Sequence, residues 1–403
     1  MRILFIGKYG SIGGAENVMR SDIQLLSDEG CEIVVIYGDK KVPEDFQPMV
    51  KKYYLKDMSS NFTIARQGSK FIFDIIVKEN PDIVHFHNVE VFEDVETIKK
   101  VINKHKTVIT AHTHYLDCPT KSKSRLLKGN RICERQTGLL CIVCKYIFSG
   151  RAAGIRTMWR RYQKVKENIQ LHNDAARVVV MNEYMKRMLL KIKIQKTKIS
   201  IITPSFDGLY DIRNKGYKKD FNKILFVGRI SDVKGAQFLL QASQNIIEKH
   251  TISIIGEGDY LQNLKELAKT LNIEEKVVFH GAGDNRKLQE EYTTASVMVV
   301  PSICPETFGL IGQEAISYGL PVVAFDVGGI STSWCFDNEN GYLVKPCDVK
   351  MLANRINRIL EDKELAKKMS VKSREIALDL FDPEKHRNSL IQMYNNSEKG
   401  TRV

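Results

Sequence analysis

A chain of 403 residues is longer than one core usually grows, so two domains with ample interior are expected. An apolar content of 43% and a charged content of 27% exclude a disordered or fibrous chain, and no apolar run approaches the ~18 residues of a membrane span. The formal charge of +13 is concentrated, because residues 121–193 hold 18 Lys and Arg against four acidic residues and leave the remainder at −1, which points to a localised anionic partner. Met1 leads directly into an apolar strand pattern, so no secretory signal is expected and the cytoplasm is the expected compartment. Eight cysteines in that setting are thiols or metal ligands rather than disulfides.

Short β-rich runs alternate with longer amphipathic stretches along the whole chain. Strands are expected at 3–6, 32–37, 83–87, 108–111, 177–181 and 199–202. A second set follows at 223–227, 252–255, 277–280, 297–300, 322–325 and 342–344. Such alternation argues for parallel sheets closed by right-handed crossovers, hence an α/β class with two doubly wound domains. Residues 204–219 are rich in turn formers and serve as the linker. The expected domains are 1–205, carrying a basic Cys-containing insertion at 113–172, then 206–384, then a C-terminal helix and tail at 385–403 that packs back on the first domain.

Chemistry-bearing residues fall at the expected strand ends, where ligands bind in such sheets. After the first strand comes a loop from Gly7 to Glu16 that contains Gly13 and Gly14, whose N–H groups can approach a phosphate or merely reverse the chain. The strand at 83–87 ends in His85-Phe86-His87, and the next is followed by His112-Thr113-His114. A neutral imidazole at such a place can hydrogen-bond an oxygen, although many strand-end histidines only pack. Cys118, Cys133, Cys141 and Cys144 could form a tetrahedral structural zinc site or remain thiols. Ile155, Met158, Trp159, Tyr162, Val165 and Ile169 share a helical face beside Arg156, Arg160 and Lys164. That helix would lie on an anionic membrane or pack on a core with snorkelling cations.

In the second half, Gly228-Arg229 and Lys234-Gly235 place two cations in one loop before a helix, a fork and a point charge suited to phosphate oxygens. Gly256 and Gly258, and then Gly281 and Gly283, mark two more strand-end turns. Pro305-Glu306-Thr307-Phe308-Gly309-Leu310 runs into a helix carrying Glu314, so two glutamates separated by seven residues flank a helix start. Carboxylates there accept from hydroxyls and the N–H groups attract anions, but surface glutamates at a helix start would look the same.

Together these motifs resemble those of glycosyltransferase family 4, retaining enzymes of the GT-B fold. The resemblance spans nearly the whole chain and is most specific from Gly228 to Tyr342. It implies two Rossmann-like domains facing across a cleft, and transfer of a sugar from a nucleoside diphosphate sugar to an acceptor hydroxyl with retention. The acceptor implied is a lipid-linked or polysaccharide precursor in cell-surface glycan synthesis, at the inner face of the membrane. By the same resemblance Arg229 and Lys234 hold the pyrophosphate, Glu306 orients the sugar, Glu314 holds the ribose and His112 contacts the sugar. N–H groups around Phe308, Gly309 and Leu310 would meet phosphate, Gly13 and Gly14 would face it, and Gly256 and Gly258 would line the base pocket. The family usually has His-Asp where this chain has His112-Thr113, and some members carry a similar Cys-Pro and Cys-x-x-Cys insertion. No Asp-x-Asp tract is present, so no cofactor is expected for catalysis, with Arg229 and Lys234 supplying the charge. No nucleic-acid partner is expected. The alternatives are a non-catalytic module for anionic lipid or nucleic acid, and a GT-B sugar-nucleotide epimerase.

Overall fold

The structure is a computed structural model, and it describes residues 1–7, 13–38, 50–55, 66–87, 95–119, 124–125, 131–133, 138–141, 155–208 and 220–397. The chain divides into two compact units. The first is Met1–Lys123 with Glu134–Ser205 and Pro383–Val403, and the second is Ser124–Cys133 with Phe206–Asp382.

In the first unit, β1 (Arg2–Ile6), α1 (Gly14–Asp28), β2 (Glu32–Tyr37), β3 (Lys51–Tyr54), α2 (Arg66–Glu79), β4 (Ile83–His87), α3 (Val95–Lys104) and β5 (Lys106–Thr110) alternate regularly. A two-residue antiparallel ladder of β6 (Ser124–Arg125) and β7 (Arg131–Ile132), grouped with the second unit, interrupts the series. The series resumes with α4 (Ile155–Asp174), β8 (Arg177–Val180), α5 (Glu183–Lys191) and β9 (Ile199–Ile201). The seven strands run parallel in the order β3-β2-β1-β4-β5-β8-β9.

Strand periodicity of two assigns the side chains of each strand to opposite faces. Leu4, Ile6, Val34, Ile36, Val84, Phe86 and Ile109 cluster with Ile72 and Ile76 of α2 and Ile98 and Val101 of α3. Their neighbours Ile3, Phe5, Ile33, Val35, Ile83 and Val108 cluster with Met19, Ile23 and Leu26 of α1 and with Leu390, Met393 and Tyr394. Both faces are therefore covered, as an all-parallel sheet requires. Strand β3 escapes the periodicity argument because Lys51-Lys52-Tyr53-Tyr54 is a largely exposed edge held by backbone pairing to β2.

The second unit repeats the plan with β10 (Lys223–Val227), α6 (Ala236–Ser243), β11 (Thr251–Ile255), α7 (Leu261–Thr270), β12 (Val277–Phe279), α8 (Asn285–Thr294) and β13 (Val297–Val300). It continues through α9 (Leu310–Ser317), β14 (Val322–Phe325), β15 (Gly341–Val344), α10 (Val349–Glu361) and α11 (Lys363–Leu380). Its strand order is β12-β11-β10-β13-β14-β15, all parallel. Asp284, Asp348 and Asp362 cap α8, α10 and α11 by accepting from N–H groups of Lys287, Met351 and Leu365. Each such cap contributes about 1 kcal/mol. The last helix, α12 (Pro383–Asn395), belongs to the first unit.

Each sheet reverses its winding once, between β1 and β4 in the first and between β10 and β13 in the second. Crevices at such reversals, beyond the carboxyl ends of the strands, are where doubly wound sheets bind ligands.

Candidate active site

At the reversal of the second sheet, the loops after β10 and β13 are pressed together. Gly235 has φ 80°, and a Cβ there would lie 1.8 Å from the Pro301 carbonyl oxygen, so only glycine allows this approach. The approach brings Lys234 Nζ to 2.6 Å from Glu306 Oε1, which also accepts from Ser302 Oγ at 2.6 Å. Both charged side chains are largely covered, at 27% and 12% exposure. Burial weighs against the Lys234 ammonium, yet the Glu306 carboxylate outweighs it and raises the lysine above its ordinary range. A third loop fixes the glutamate from behind. Gly329 N–H donates to the Glu306 carbonyl at 2.7 Å, and a Cβ on Gly328 would meet that oxygen at 2.2 Å.

Arg229 follows β10, is exposed, and lies close enough to act on the Lys234 charge. The structure thus brings Arg229, Lys234 and Glu306 together. Glu314 has a separate holder: Tyr292 Oη donates to its Oε2 at 2.8 Å, and Tyr292 stacks on Tyr318 with centroids 5.4 Å apart and planes 7° from parallel. Burial pushes the Glu314 carboxyl upward, against the pull of the Tyr292 hydroxyl.

Gly309 caps α9 with φ 83°, and Trp334 packs beneath it. The indole Nε1–H donates to the Phe308 carbonyl at 2.6 Å, and a Cβ on Gly312 would lie 2.2 Å from that ring. Phe308 is 2% exposed and sets its ring edgewise to Phe381. Its side chain is therefore core, and only backbone N–H groups from Phe308 to Leu310 are left to meet an anion. Gly256 and Gly258 also have a packing explanation. Added Cβ atoms would come within 1.8 Å of the Gly228 carbonyl oxygen and 2.1 Å of that of Ile230, so the loops after β10 and β11 stack backbone on backbone.

At the reversal of the first sheet, Gly13 is the N-cap of α1 and Gly14 its first residue, while residues 8–12 of that loop lie outside the described residues. His112 is 6% exposed, with Nε2 2.9 Å from His87 Nδ1. Burial drives His112 down to about 3 and His87 well below its ordinary value, so both rings are neutral near pH 7. His85 bridges Tyr394 Oη and Thr110 Oγ1, each at 2.7 Å, which makes it a structural histidine. His114 pairs with Asp117 at 3.2 Å.

Two sequence readings leave alternatives open, and the described residues bear on each. On α4, Met158, Tyr162 and Val165 are buried, so the apolar face turns inward; Trp159, at 46% exposure, is the exception on that face, and Ile155 offers no described side chain. Among the described residues no helix is long and apolar enough to cross a membrane. The cysteine reading falls partly outside the described residues. Cys144 lies outside them, and Cys118, Cys133 and Cys141 form no metal-sized group.

Sequence inspection missed Ser302, Tyr292 and Trp334, which position the glutamates and the helix start. It also missed Asp22 and His386, buried partners at 2.6 Å in the first unit. Asp22 carried a signal: it sits on the apolar stripe of α1 formed by Val18, Met19, Ile23 and Leu26.

Comparison with known proteins bears on the family and the fold. An uncharacterised glycosyltransferase of Methanocaldococcus jannaschii is 36% identical over 153 residues, 37% of this chain and 38% of that protein. The sulfoquinovosyl transferase of Arabidopsis thaliana is 26% identical over 373 residues, 88% of this chain and 65% of that one. The chain thus spans less than two thirds of these relatives. The crystal structure of Anabaena HepE in complex with UDP and glucose has the same fold, with a TM-score of 0.72 at 18% identity over 98% of this chain and 99% of that one. Residues 12–207 match Glycosyltransferase Family 4 and residues 211–376 match Glycosyl transferases group 1. Two doubly wound sheets, with those two matches laid one on each, make this chain a member of the GT-B glycosyltransferases of group 1 and family 4.

Proposed function

We propose that the protein is a retaining glycosyltransferase that moves a sugar from a nucleoside diphosphate sugar to an acceptor hydroxyl. The observation that carries this reading is the Lys234–Glu306 pair, 2.6 Å apart beside Arg229 at the reversal of the second sheet. The pyrophosphate of the donor is held by Arg229 and Lys234, whose charges act most strongly as the nucleoside diphosphate departs. Glu306, fixed by Ser302 and Lys234, orients sugar hydroxyls and faces the positive charge developing at the anomeric carbon. The departing phosphate takes the proton of the attacking hydroxyl on the same face, which retains configuration without a covalent intermediate. Glu314 accepts from ribose hydroxyls, and the N–H groups at the start of α9 meet phosphate. The reading assigns His112 a hydrogen bond to the transferred sugar.

The relative that binds UDP and glucose favours a UDP-sugar as donor. The acceptor is a glycan or lipid-linked precursor with anionic character, because Arg156, Arg160, Arg187 and Lys191 lie exposed in the basic segment. A screen of UDP- and GDP-sugars by thermal shift tests the donor, since a ligand at 100 times its Kd stabilises by about 2.7 kcal/mol. Slow donor hydrolysis that disappears in Glu306→Ala and Lys234→Ala is the expected result. Stabilisation by no nucleotide sugar, or epimerised donor formed without acceptor, would defeat the proposal.

A further inference from the structure

The interior of the first unit holds a file of polar side chains that runs from the C-terminal helix to His112. It starts at α12, where His386 Nδ1 lies 2.7 Å from the Thr203 carbonyl oxygen and Nε2 lies 2.6 Å from Asp22 Oδ1. The other oxygen of Asp22 lies 3.7 Å from His87 Nε2, and His87 Nδ1 lies 2.9 Å from His112 Nε2. Every member is buried: Asp22 and His87 are each 2% exposed, and His112 and His386 each 6%.

We propose that Asp22, held in place by His386 of the C-terminal helix, is a positioning residue that fixes the tautomer of His112 through His87.

The argument is one of donors and acceptors. A carbonyl oxygen only accepts, so His386 carries a proton on Nδ1. The proton shared between His386 and Asp22 lies on the Oδ1 side, which leaves Oδ2 an acceptor whichever partner owns it. At 3.7 Å Oδ2 is too far for a hydrogen bond to His87, but it biases the ring electrostatically. A lone pair on His87 Nε2 would point at an oxygen in a dry interior, whereas an N–H points at it favourably. His87 therefore takes its proton on Nε2 and presents a lone pair at Nδ1. Because burial keeps both rings neutral, the 2.9 Å contact then has one solution: His112 donates from Nε2 and is an acceptor at Nδ1. Without Asp22, His87 loses the negative charge that favours this arrangement over the opposite one, in which His87 donates and His112 is protonated on Nδ1.

The consequence for chemistry is a choice of ligand group. An accepting nitrogen takes a hydrogen bond from a sugar hydroxyl, and the other tautomer would seek an ether or ring oxygen. That consequence rests on the transferase reading, whereas the tautomer itself does not.

Ring nitrogens of a neutral histidine are distinguished by long-range proton–nitrogen correlation in the full chain labelled with 15N-histidine, with His112 assigned by its loss in His112→Gln. The unaltered protein is expected to show His112 as a single tautomer protonated on Nε2 at pH 7. Asp22→Leu, which keeps the volume and removes the acceptor, should convert that resonance into a mixture. His87→Phe should do the same by cutting the file at a second place, which keeps the test open should Asp22→Leu not fold. In turnover, Asp22→Leu is expected to lower kcat about 10-fold with donor KM changed less than about twofold, as fits a misplaced group rather than a lost binding contact. A His112 found protonated on Nδ1 in the unaltered chain, or unchanged in folded Asp22→Leu, would overturn the assignment. A chain with the expected tautomer but no turnover on any donor would refute the transferase reading and leave this assignment standing.

Discussion

The two units reach a ligand-ready strand reversal by different means. In the second, the site is made by backbone pressed on backbone at Gly235, Gly256, Gly258 and Gly328, and it holds charged groups that are partly wet. In the first, it is made by side chains drawn from α1, β4, the end of β5 and α12, and its imidazoles are dry and neutral. A glycine-built site depends on shape and a histidine-built one on protonation, so the two should fail under different insults.

Acid offers the largest contrast. His85 and His112 sit near 3 when folded against an ordinary value of 6.5, so below pH 6.5 the unfolded chain binds more protons. Stability is therefore complete above that pH and is lost as pH falls toward the folded values, by up to about 1.4 kcal/mol per pH unit for each histidine. Hydrogen exchange at pH 4.5 should find the first unit opening well before the second; the reverse order would break the comparison. Next come the charges of the second unit. Lys234→Ala or Glu306→Ala should lower kcat by about 10²–10³ with the fold intact, as measured by turnover beside circular dichroism.

Gly256→Ala tests the backbone stack. Forcing a side chain into that conformation costs about 1–3 kcal/mol before the clash is counted, and melting should show it in the second unit alone. Tyr292→Phe removes the hydroxyl from a buried carboxylate, a change of about 1–3 kcal/mol, and should raise donor KM about 10-fold while leaving kcat nearly unchanged. The smallest effect belongs to Trp159→Ala, whose half-exposed ring meets the buried face of α4 at Tyr162, with centroids 6.0 Å apart. Thermal melting should move by less than about 0.5 kcal/mol, and binding to anionic vesicles should not change.

The same contrast governs what could be read in the sequence. Glycines at strand ends, the Lys234 and Glu306 loops and the alternation of twelve strand runs with helical stretches are local patterns, and the sheets of both units follow them apart from β3. The partners Asp22, His87, His112 and His386 are 364 residues apart at the extremes, and nothing local joins them. The hint in the sequence was Asp22, placed on the apolar face of its helix. Strand β3 was hidden for another reason: an exposed edge needs no apolar rhythm. The core-facing direction of α4 was undecidable because snorkelling cations and lipid-seeking cations have the same spacing.

Helix α12 supplies Leu390, Met393 and Tyr394 to an apolar layer whose strands begin at Ile3. During synthesis the ribosome must make all of 206–382 between the rest of that layer and its lid, which at 5–20 residues per second takes roughly 10–35 s. For that interval the nascent first unit presents Phe5, Ile33 and Val35 beside a missing helix. It is then a sticky half-product, a substrate for chaperones, and the point at which translation speed decides yield.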